Sequence, residues 1–426
     1  MTDGAATSHL LQPKIVAALR EGYDLPTLRR DAVAGLTVAI VALPLSMAIA
    51  VASGVSPERG LFTAIVGGFV VSALSGSRYQ IGGPAGAFIV LVAAAVVQLG
   101  MSGVLLAVLI SGVLLALLGA LRVGALVRHI PQAVTVGFTA GIAVTIAASQ
   151  LRDFVGIRLS GHEPGSLIPK LIALVQALPA ANLWALVIGV MTTALIFVLK
   201  RVKPTWPGML IGVTLSSVLA QLFHLPVDTI ASRFGEIPHG LPAPAVPAFS
   251  LQLVAAVLPT ALSFTLLGAV ESLLSAKVAD GMTGRKHRSN MELIGQGFAN
   301  IASALFGGIC VTGTIARTAT NIRAGARTPV AGILHALFLL LFMLVAAPLA
   351  GFIPLAALAG VLLVVSWTMA EKAEFLRLLR TWPSTLVLLS TFLGTLLRDL
   401  TVGIVLGCAV AFVLTILKTR IAEEGP

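Results

Sequence analysis

Apolar stretches near the length of a membrane crossing follow one another along almost the whole chain, separated by short polar segments. A helix needs about 20 apolar residues to cross a bilayer, and a helix satisfies its backbone hydrogen bonds within the crossing segment. The sequence therefore predicts an all-α, multi-pass membrane protein with 14 transmembrane segments. We number these spans in chain order: 31–53, 58–76, 85–99, 102–121, 130–150, 182–199, 206–224, 251–277, 290–307, 315–324, 328–348, 353–369, 382–397 and 399–419.

The composition supports this class of protein. The 426 residues are 57% hydrophobic and 11% charged, whereas soluble domains are about 25% charged. The 28 Lys and Arg residues exceed the 17 acidic residues. In a polytopic membrane protein, such an excess reflects the enrichment of cytoplasmic loops in Lys and Arg. We therefore expect no nucleic-acid partner.

The positions of these charges predict the orientation of the chain. With the N-terminus in the cytoplasm, 21 of the 28 Lys and Arg residues fall on the inner side, and Arg317 alone lies within the membrane. The outer side holds six: Arg59, Arg152, Arg158, Lys170, Arg233 and Arg398. This asymmetry agrees with the positive-inside rule. We expect both termini to be cytoplasmic and the protein to lie in the plasma (inner) membrane.

The spans divide the chain into two repeats. Residues 31–224 hold spans 1–7, residues 251–421 hold spans 8–14, and an extracellular Pro-rich linker, 225–250, joins them. A cytoplasmic N-terminal segment, 1–30, precedes the first repeat, and a cytoplasmic tail, 422–426, follows the second. Because each repeat has an odd number of spans, the second begins on the opposite side of the membrane. The sequence therefore predicts a 7+7 inverted repeat.

Spans 3 and 10 are too short to cross a bilayer, and they occupy matching positions in the two repeats. Ser72–Gly76 aligns with Ser303–Gly307, and at the same offset of 231 residues Gly82 falls on Gly313. Non-helical backbone is tolerated at membrane depth only where protein or a water-filled cavity satisfies it. We expect a short strand followed by a half-helix in both places. Paired interruptions of this kind indicate the binding site of a secondary transporter.

Inverted repeats would bring the N-termini of the two half-helices together from opposite sides. Each N-terminus carries unpaired N–H groups and the positive end of the helix dipole, so the pair is expected to form an anion site. Pro84 is expected in the first turn of the first half-helix, where its missing N–H is not needed. Arg317 is expected in the first turn of the second and adds a full positive charge. Its alternative role is to brace the break by donating hydrogen bonds to carbonyl groups.

Glu271 is the other charge predicted inside the membrane. It lies in the apolar segment LLGAVESLLSAKVAD of span 8, where desolvation favours the neutral carboxyl group. We expect Glu271 to bind the coupling ion or proton; the alternative is a structural partner for Arg317 or for a hydroxyl group. Glu292 is expected in the cytoplasmic interface at the start of span 9. His335, in span 11, is expected to be a packing histidine with satisfied hydrogen bonds.

Enzymatic motifs give no competing prediction. The sequence has no Walker A motif, no Cys/His cluster with metal-ligand spacing and no nucleophile elbow with convincing partners. We therefore expect no enzymatic activity, no cofactor and no metal site. Cys310 and Cys408 lie in apolar segments and predict no disulfide framework.

Three segments carry a resemblance to a known family. They are DAVAGLTVAIVALPLSMAIAVASGVSPERGL in span 1, Gly83–Pro84 before span 3, and the run from Glu271 through NMELIGQGFANIASALFGG to Asn321. Through them, residues 31 to about 420 resemble the SulP family of anion transporters. The resemblance implies a core of spans 1–4 and 8–11 and a gate of spans 5–7 and 12–14.

The resemblance also implies a substrate site between the half-helices of spans 3 and 10, with spans 1 and 8 alongside. It places Leu45, Ala85, Glu271, Ala316 and Arg317 around the anion. With the residues that flank the two breaks, the candidate substrate-binding residues are Leu45, Gly83, Pro84, Ala85, Gly86, Thr314, Ile315, Ala316 and Arg317.

The sequence departs from the family pattern in two places. The residue after Pro44 is commonly glutamine in the family and is Leu45 here, which leaves the identity of the substrate open. Family members usually continue into a cytoplasmic STAS domain, whereas this sequence ends at Pro426. We expect that domain to be absent, with truncation favoured over a natural short form. A homodimer is retained as an open expectation.

Together these features predict a secondary active transporter for a small anion of the sulfate, bicarbonate or dicarboxylate type, working by alternating access. Symport with a proton through Glu271 is the favoured coupling, and sodium is the other coupling ion considered. One alternative is a nucleobase–cation symporter of the same architecture, which typically presents acidic residues from spans 8 and 10, whereas span 10 here presents Arg317. The other alternative is an uncoupled anion channel or exchanger.

Overall fold

The structure of this chain is a computed structural model that describes residues 11–124, 131–159, 167–204, 206–398 and 400–423. Residues 1–10 of the predicted N-terminal segment and residues 424–426 of the predicted tail lie outside this part of the chain.

Each predicted span contains a helix. In the first repeat these helices are Leu25–Ala52 (span 1), Pro57–Phe62, Thr63–Gly67 and Gly68–Leu74 (span 2), Gly86–Phe88 with Ile89–Ala120 (spans 3 and 4), Gln132–Val155 (span 5), Leu183–Val202 (span 6) and Gly208–Leu222 (span 7). In the second repeat they are Leu251–Thr283 (span 8), Ser289–Leu305 (span 9), Ile315–Arg323 (span 10), Val330–Ala350 (span 11), Leu355–Met369 (span 12), Trp382–Leu397 (span 13) and Leu400–Glu423 (span 14).

Two of these spans contain irregular helix. The middle of span 2, Thr63–Gly67, is π-helical, a local form that is frequent at functional sites. The break between spans 3 and 4 is Gly100, whose φ of 66° and ψ of 176° are not helical. A residue with a side chain rarely adopts such a φ, so glycine permits this turn.

Shorter helices lie outside the spans. They are Lys14–Arg20, Leu167–Ala177 with the 3₁₀ turn Leu178–Ala180, Ile230–Phe234 and Lys372–Leu378. Within the described residues, eight helices are long and apolar enough to cross a membrane, among them Leu25–Ala52 and Leu251–Thr283. Spans 7, 13 and 14 contain shorter apolar helices. Span 9 is a helix of 17 residues, and span 10 is a helix of 9 residues.

The helices pack into two bodies that match the expected core and gate. In the core, span 1 packs against span 11, span 4 packs against spans 8 and 9, and span 2 packs against spans 9 and 11. In the gate, span 5 packs against spans 12 and 13, span 6 packs against spans 7 and 12, and span 13 packs against span 14. Under the repeat symmetry, span 1 corresponds to span 8 and span 11 corresponds to span 4. Spans 1 and 11 are in contact, and so are spans 8 and 4. The packing therefore follows the inverted-repeat symmetry.

Contacts between the two bodies do not obey that symmetry. Span 1 packs against gate spans 7 and 12. Its equivalent in the second repeat, span 8, makes few contacts with the corresponding spans 14 and 5 among the described residues. The interface between core and gate is thus tight on the side of span 1 and loose on the side of span 8.

The loops confirm that the spans cross in alternating directions. At one end of the molecule, Arg78 forms an ion pair with Glu21, and the Asp31 carboxylate accepts hydrogen bonds from the backbone N–H groups of Arg327 and Thr328 at 2.7 and 3.2 Å. At the other end, the Arg59 guanidinium donates to the Gly307 carbonyl at 2.7 Å. Loops predicted on the same side therefore lie together.

Small residues allow the core helices to approach closely. A Cβ on Gly297 of span 9 would lie 2.5 Å from the Ala116 backbone nitrogen and 2.6 Å from the Gly112 carbonyl oxygen of span 4. Close contact of this kind is the usual role of small residues between membrane helices. Gly112 therefore lies inside the core.

We predict that Gly297→Ala destabilises the protein by about 1–3 kcal/mol because the added methyl group overpacks the contact between spans 4 and 9. The matched control is Gly281→Ala, since a Cβ on Gly281 in span 8 meets no atom within 4 Å. Thermal unfolding of the purified variants in detergent measures the difference. Equal melting temperatures for the two variants would contradict this account of the packing.

Candidate functional site

The two interrupted spans meet in a short antiparallel sheet, as the sequence predicts. Strand β1, Gly82–Gly83, pairs with strand β2, Thr312–Gly313, so that Gly82 lies opposite Gly313. These are the two glycines related by the repeat offset. The sheet lies on the pseudo-symmetry axis, and each strand supplies backbone partners for the other inside the membrane region.

Close approach explains the glycines of this sheet. A Cβ on Gly83 would lie 1.9 Å from Nη1 of Arg317, and a Cβ on Gly313 would lie 1.6 Å from Nε2 of Gln80. A side chain from each neighbouring segment therefore passes directly over the partner strand. Any larger residue at Gly83 or Gly313 would displace the guanidinium or the amide.

Each strand leads into the start of a half-helix. Ala85 is the N-cap of the turn Gly86–Phe88, and Thr314 is the N-cap of the helix Ile315–Arg323; both N-caps have extended backbone. No described side chain caps either helix. The first N–H groups of both half-helices therefore remain available at the centre of the core.

One detail of the first half-helix differs from the prediction. Pro84 was expected in the first helical turn, but the turn begins at Gly86 with Ala85 as its N-cap. Pro84 thus lies in the extended segment after β1. The proline ring disfavours helical backbone at the preceding residue, which agrees with the extended conformation of strand residue Gly83.

Arg317 lies in the first turn of the second half-helix, as predicted, and is 1% exposed. Its Nη2 donates to Oγ of Ser46 at 3.1 Å and to the carbonyl of Pro84 at 3.3 Å. The guanidinium therefore joins span 10, span 1 and the segment before span 3. Its Nε and Nη1 have no hydrogen-bond partner among the described residues. Arg317 thus has the bracing role and also keeps donors free.

Glu271 is buried in span 8, and its carboxylate has neither a hydrogen bond nor an ion pair with any described residue. The alternative in which it forms an ion pair with Arg317 is therefore not supported. The next residue fixes its position: Oγ of Ser272 lies 2.8 Å from Oγ1 of Thr312 in β2. Span 8 is thereby anchored to the sheet at the level of Glu271.

The remaining candidate residues differ in burial. Leu45, Gly83, Pro84, Ala85 and Gly86 are buried, Thr314 and Ile315 are half-buried, and Ala316 is exposed. The hydroxyl of Thr314 is buried without a partner among the described residues.

Gly86 faces the gate. A Cβ at this position would lie 3.1 Å from Cδ1 of Ile146 in span 5 and 3.6 Å from Sδ of Met369 at the end of span 12. The candidate site therefore borders the interface between core and gate.

Span 9 contributes a polar stripe that sequence reasoning missed. Glu292 was expected at the membrane interface, but it is fully buried, and its Oε1 accepts hydrogen bonds from Nε2 of Gln80 at 2.8 Å and of Gln296 at 3.1 Å. The side chain of Asn300 holds the backbone of Val311, just before β2, through two hydrogen bonds of 2.8 and 2.9 Å. The spacing of Glu292, Gln296 and Asn300 by four residues was the signal, because such residues share one helix face.

Two further residues near Arg317 differ from expectation. Ser46, beside the predicted Leu45, is the span 1 residue that contacts the guanidinium. His335 is fully buried as predicted, but neither ring nitrogen has a hydrogen-bond partner in the described part of the chain. A packing histidine with satisfied hydrogen bonds is therefore the wrong description.

Comparison with known proteins agrees with this geometry. The model of the Sulfate permease family matches residues 28–391. The chain belongs to this family. The SulP resemblance is thus confirmed, and so is the prediction of an anion transporter rather than an enzyme.

Two relatives cover most of the chain. The putative sulfate transporter YvdB of Bacillus subtilis is 43% identical over 411 residues, which cover 95% of this chain and 77% of that protein. The bicarbonate transporter BicA of a Picosynechococcus strain is 34% identical over 407 residues, which cover 91% of this chain and 70% of that protein.

Solved structures confirm the fold class. The transmembrane domain of a cyanobacterium bicarbonate transporter BicA superposes with a TM-score of 0.81 at 30% identity, covering 90% of this chain and 98% of that domain. The overall structure of SLC26A9 superposes with a TM-score of 0.87 at 19% identity, covering 98% and 69% respectively. The fold is the predicted 7+7 inverted repeat.

We predict that Arg317→Ala weakens anion uptake roughly ten- to hundredfold, because hydrogen bonds to a charged group contribute about 1.5–3 kcal/mol. Uptake of labelled sulfate and bicarbonate into liposomes measures this. Arg323→Ala is the control, since it removes the same charge from the exposed end of the same helix. If both variants transported like the unmodified protein, Arg317 would have no role in holding the anion.

Proposed function

We propose that this anion transporter binds a small oxyanion, of the sulfate, bicarbonate or dicarboxylate type, between the N-termini of its two half-helices and beside Arg317. The single observation that supports this site is the buried guanidinium, two of whose nitrogens have no partner among the described residues, next to two helix N-termini that no described side chain caps. A buried, unpaired donor costs about 1–3 kcal/mol, and more when it is charged. A bound anion would satisfy these donors.

The site offers an anion both charge and geometry. Arg317 presents planar N–H groups suited to a carboxylate or another oxyanion, and each helix N-terminus adds the positive end of a dipole. Pro84 and Ser46 already occupy Nη2, so Nε and Nη1 are the nitrogens left for the anion. The names of the relatives, which include sulfate and bicarbonate transporters, support anions of this size.

Alternating access is the proposed mode of transport. The interface between core and gate is tight around span 1 and loose around span 8. Because the repeats are inverted, exchanging these two arrangements generates the opposite state, in which span 8 would pack against spans 5 and 14. The core, which carries both half-helices and Arg317, would move relative to the gate and expose the anion to one side at a time.

Proton symport through Glu271 is the proposed coupling. Glu271 is buried in span 8 and its carboxylate lacks a described partner, so a proton or a sodium ion would neutralise it. The hydroxyl of Ser272, the next residue, contacts the hydroxyl of Thr312 in β2. A change in the charge of Glu271 would therefore be transmitted to the sheet beside the anion site. We further propose a plasma-membrane location with both termini in the cytoplasm, and we retain a homodimer as a hypothesis.

We predict that Glu271→Gln, which mimics the protonated acid, preserves exchange of anion between equal pools and abolishes accumulation driven by a proton gradient. Proteoliposomes with labelled sulfate or bicarbonate, with and without a pH gradient, distinguish the two activities. A sodium gradient at equal pH tests the other coupling ion. The control is Glu236→Gln, an exposed residue of the linker. Continued accumulation by Glu271→Gln under a proton gradient would refute the coupling role.

The same liposomes test the alternative functions. A channel predicts flux that does not saturate with anion concentration, whereas an alternating carrier predicts saturation. A nucleobase–cation symporter predicts uptake of labelled uracil that sulfate does not inhibit. Arg317 in span 10, in place of an acidic residue, favours the anion carrier over the nucleobase symporter.

We also predict that linking the core to the gate stops transport. In a background with Cys310 and Cys408 replaced by alanine, Gly86→Cys with Ile146→Cys joins the two bodies, since a Cβ at Gly86 lies 3.1 Å from Ile146 Cδ1. A reducible bifunctional thiol reagent should abolish uptake, and reduction should restore it.

The matched control links two gate helices. Thr193→Cys with Gly360→Cys joins spans 6 and 12, where a Cβ on Gly360 lies 2.9 Å from Oγ1 of Thr193. This link should leave uptake unchanged. Full transport with the core and gate linked would rule out alternating access by relative motion of these bodies.

A further inference from the structure

A groove lies at one end of the gate, where spans 6 and 12 end. It has a volume of about 610 Å³ and is lined by Phe197, Lys200 and Arg201 of span 6 and by Trp367, Thr368, Glu371 and Lys372 at the end of span 12. The two spans pack along each other before they reach it. The groove is therefore built from one helix of each repeat.

Three cations line the groove against one carboxylate. None of the ion pairs found among the described residues involves Lys200, Arg201 or Lys372, and Nζ of Lys372 lies over the ring of Trp367. Lys200 and Arg201 lie in the last turn of span 6, where a positive charge also favours the helix dipole. The dipole of span 6 does not explain the position of Lys372, which belongs to the helix Lys372–Leu378 that follows span 12.

The backbone at Glu371 brings Lys372 back toward the groove. Glu371 has φ of 34° and ψ of 49°, a left-handed conformation that costs a non-glycine residue of the order of 1–3 kcal/mol. This conformation reverses the chain after span 12 and starts the next helix beside Trp367. Backbone strain of this kind is concentrated at binding and functional sites.

The surroundings of the groove are those of a membrane interface. Trp367 is 60% exposed at the end of an apolar span, and tryptophan is enriched where acyl chains meet headgroups. Phe197, one turn before the end of span 6, supplies the other apolar wall. A ligand of this groove therefore meets cations at one end and aromatic surface at the other.

We propose that this groove binds an anionic phospholipid of the adjacent leaflet, with the headgroup phosphate on Lys200, Arg201 and Lys372 and the acyl chains against Phe197 and Trp367. Basic pockets between membrane helices bind anionic headgroups in this way. The lipid would join span 6 to span 12 and so stabilise the gate as the body against which the core moves. The residues that line this groove are not among the candidate anion-binding residues.

The test compares lipids on the purified 426-residue chain in detergent. Thermal unfolding is measured with added phosphatidylglycerol, with added phosphatidylcholine and with soluble glycerol 3-phosphate. Phosphatidylglycerol should raise the melting temperature of the unmodified protein, and the other two additives should not. An equal effect of phosphatidylcholine, or of glycerol 3-phosphate, would overturn the proposal of an anionic lipid.

Substitutions in the groove test whether its cations cause the stabilisation by phosphatidylglycerol. Lys200→Gln, Arg201→Gln and Lys372→Gln, combined, should remove most of the stabilisation, with an affinity loss of roughly fivefold for each charge removed, since a cation near an anionic lipid surface contributes about 1 kcal/mol. The matched control removes three exposed charges elsewhere on the same predicted side, through Arg20→Gln, Lys277→Gln and Lys286→Gln.

The control variant should respond to phosphatidylglycerol like the unmodified protein. An equal loss in the control would show non-specific attraction and overturn the site, as would a full response in the groove variant. Should the triple variant fail to fold in phosphatidylcholine, Lys372→Gln alone is compared with Lys286→Gln by counting bound phosphatidylglycerol in native mass spectrometry. Equal lipid counts for those two single variants would also overturn the site.

Discussion

The pairing of β1 with β2 is the interaction on which the rest of this structure depends. Two helices are interrupted inside the membrane region, and each interruption leaves backbone groups that lipid cannot satisfy. The strands satisfy one another through Gly82 and Gly313, and the neighbouring helices satisfy what remains. Ser272 of span 8 and Asn300 of span 9 bond to the segment around β2. The hydroxyl of Thr318 in span 10 accepts a hydrogen bond from the backbone of Ile81 at 3.2 Å.

Among the buried donors that have no partner in the described part of the chain, three lie at the site: Nε and Nη1 of Arg317 and Oγ1 of Thr314. Arg317 donates to Ser46 and Pro84 through one nitrogen and keeps two others without a described partner. Exposing a charged side chain to hydrocarbon costs several kcal/mol, so a guanidinium held here needs a reason beyond packing. Binding of an anion provides one, because the core can surround the guanidinium tightly and still leave two nitrogens free.

Much of the fold could be predicted from the sequence because bilayer thickness limits helix length. The fourteen spans, the two interruptions and the position of Arg317 in a first turn are all confirmed. The polar stripe of span 9 was missed because Glu292 lies near the start of a helix, and this position in the sequence indicated the membrane interface. In the structure Glu292 is fully buried. Its partner, Gln80, lies more than 200 residues away in sequence. A contact of that kind depends on tertiary packing, which local patterns do not encode.

The site itself was predicted only in outline. The residues flanking the breaks were correctly placed near one another, but Ser46, rather than its neighbour Leu45, contacts Arg317. On a helix, adjacent residues point about 100° apart, so an error of one position changes the face. The tight contact of span 1 with the gate and the loose contact of span 8 could not be predicted from the sequence either. Inverted repeats are compatible with the inward-open and the outward-open arrangement alike, and only the packing shows which of the two this structure has.

The central claim, that an anion binds between the two half-helices on the free nitrogens of Arg317, is tested most directly by locating the anion. Crystals of the protein grown with selenate, an analogue of sulfate, give an anomalous selenium signal that marks the ion without ambiguity. The account predicts a peak within hydrogen-bond distance of Nε or Nη1 of Arg317 and beside the N-termini at Gly86 and Ile315, which disappears in Arg317→Ala. A fully occupied peak elsewhere, with this position empty, would contradict it.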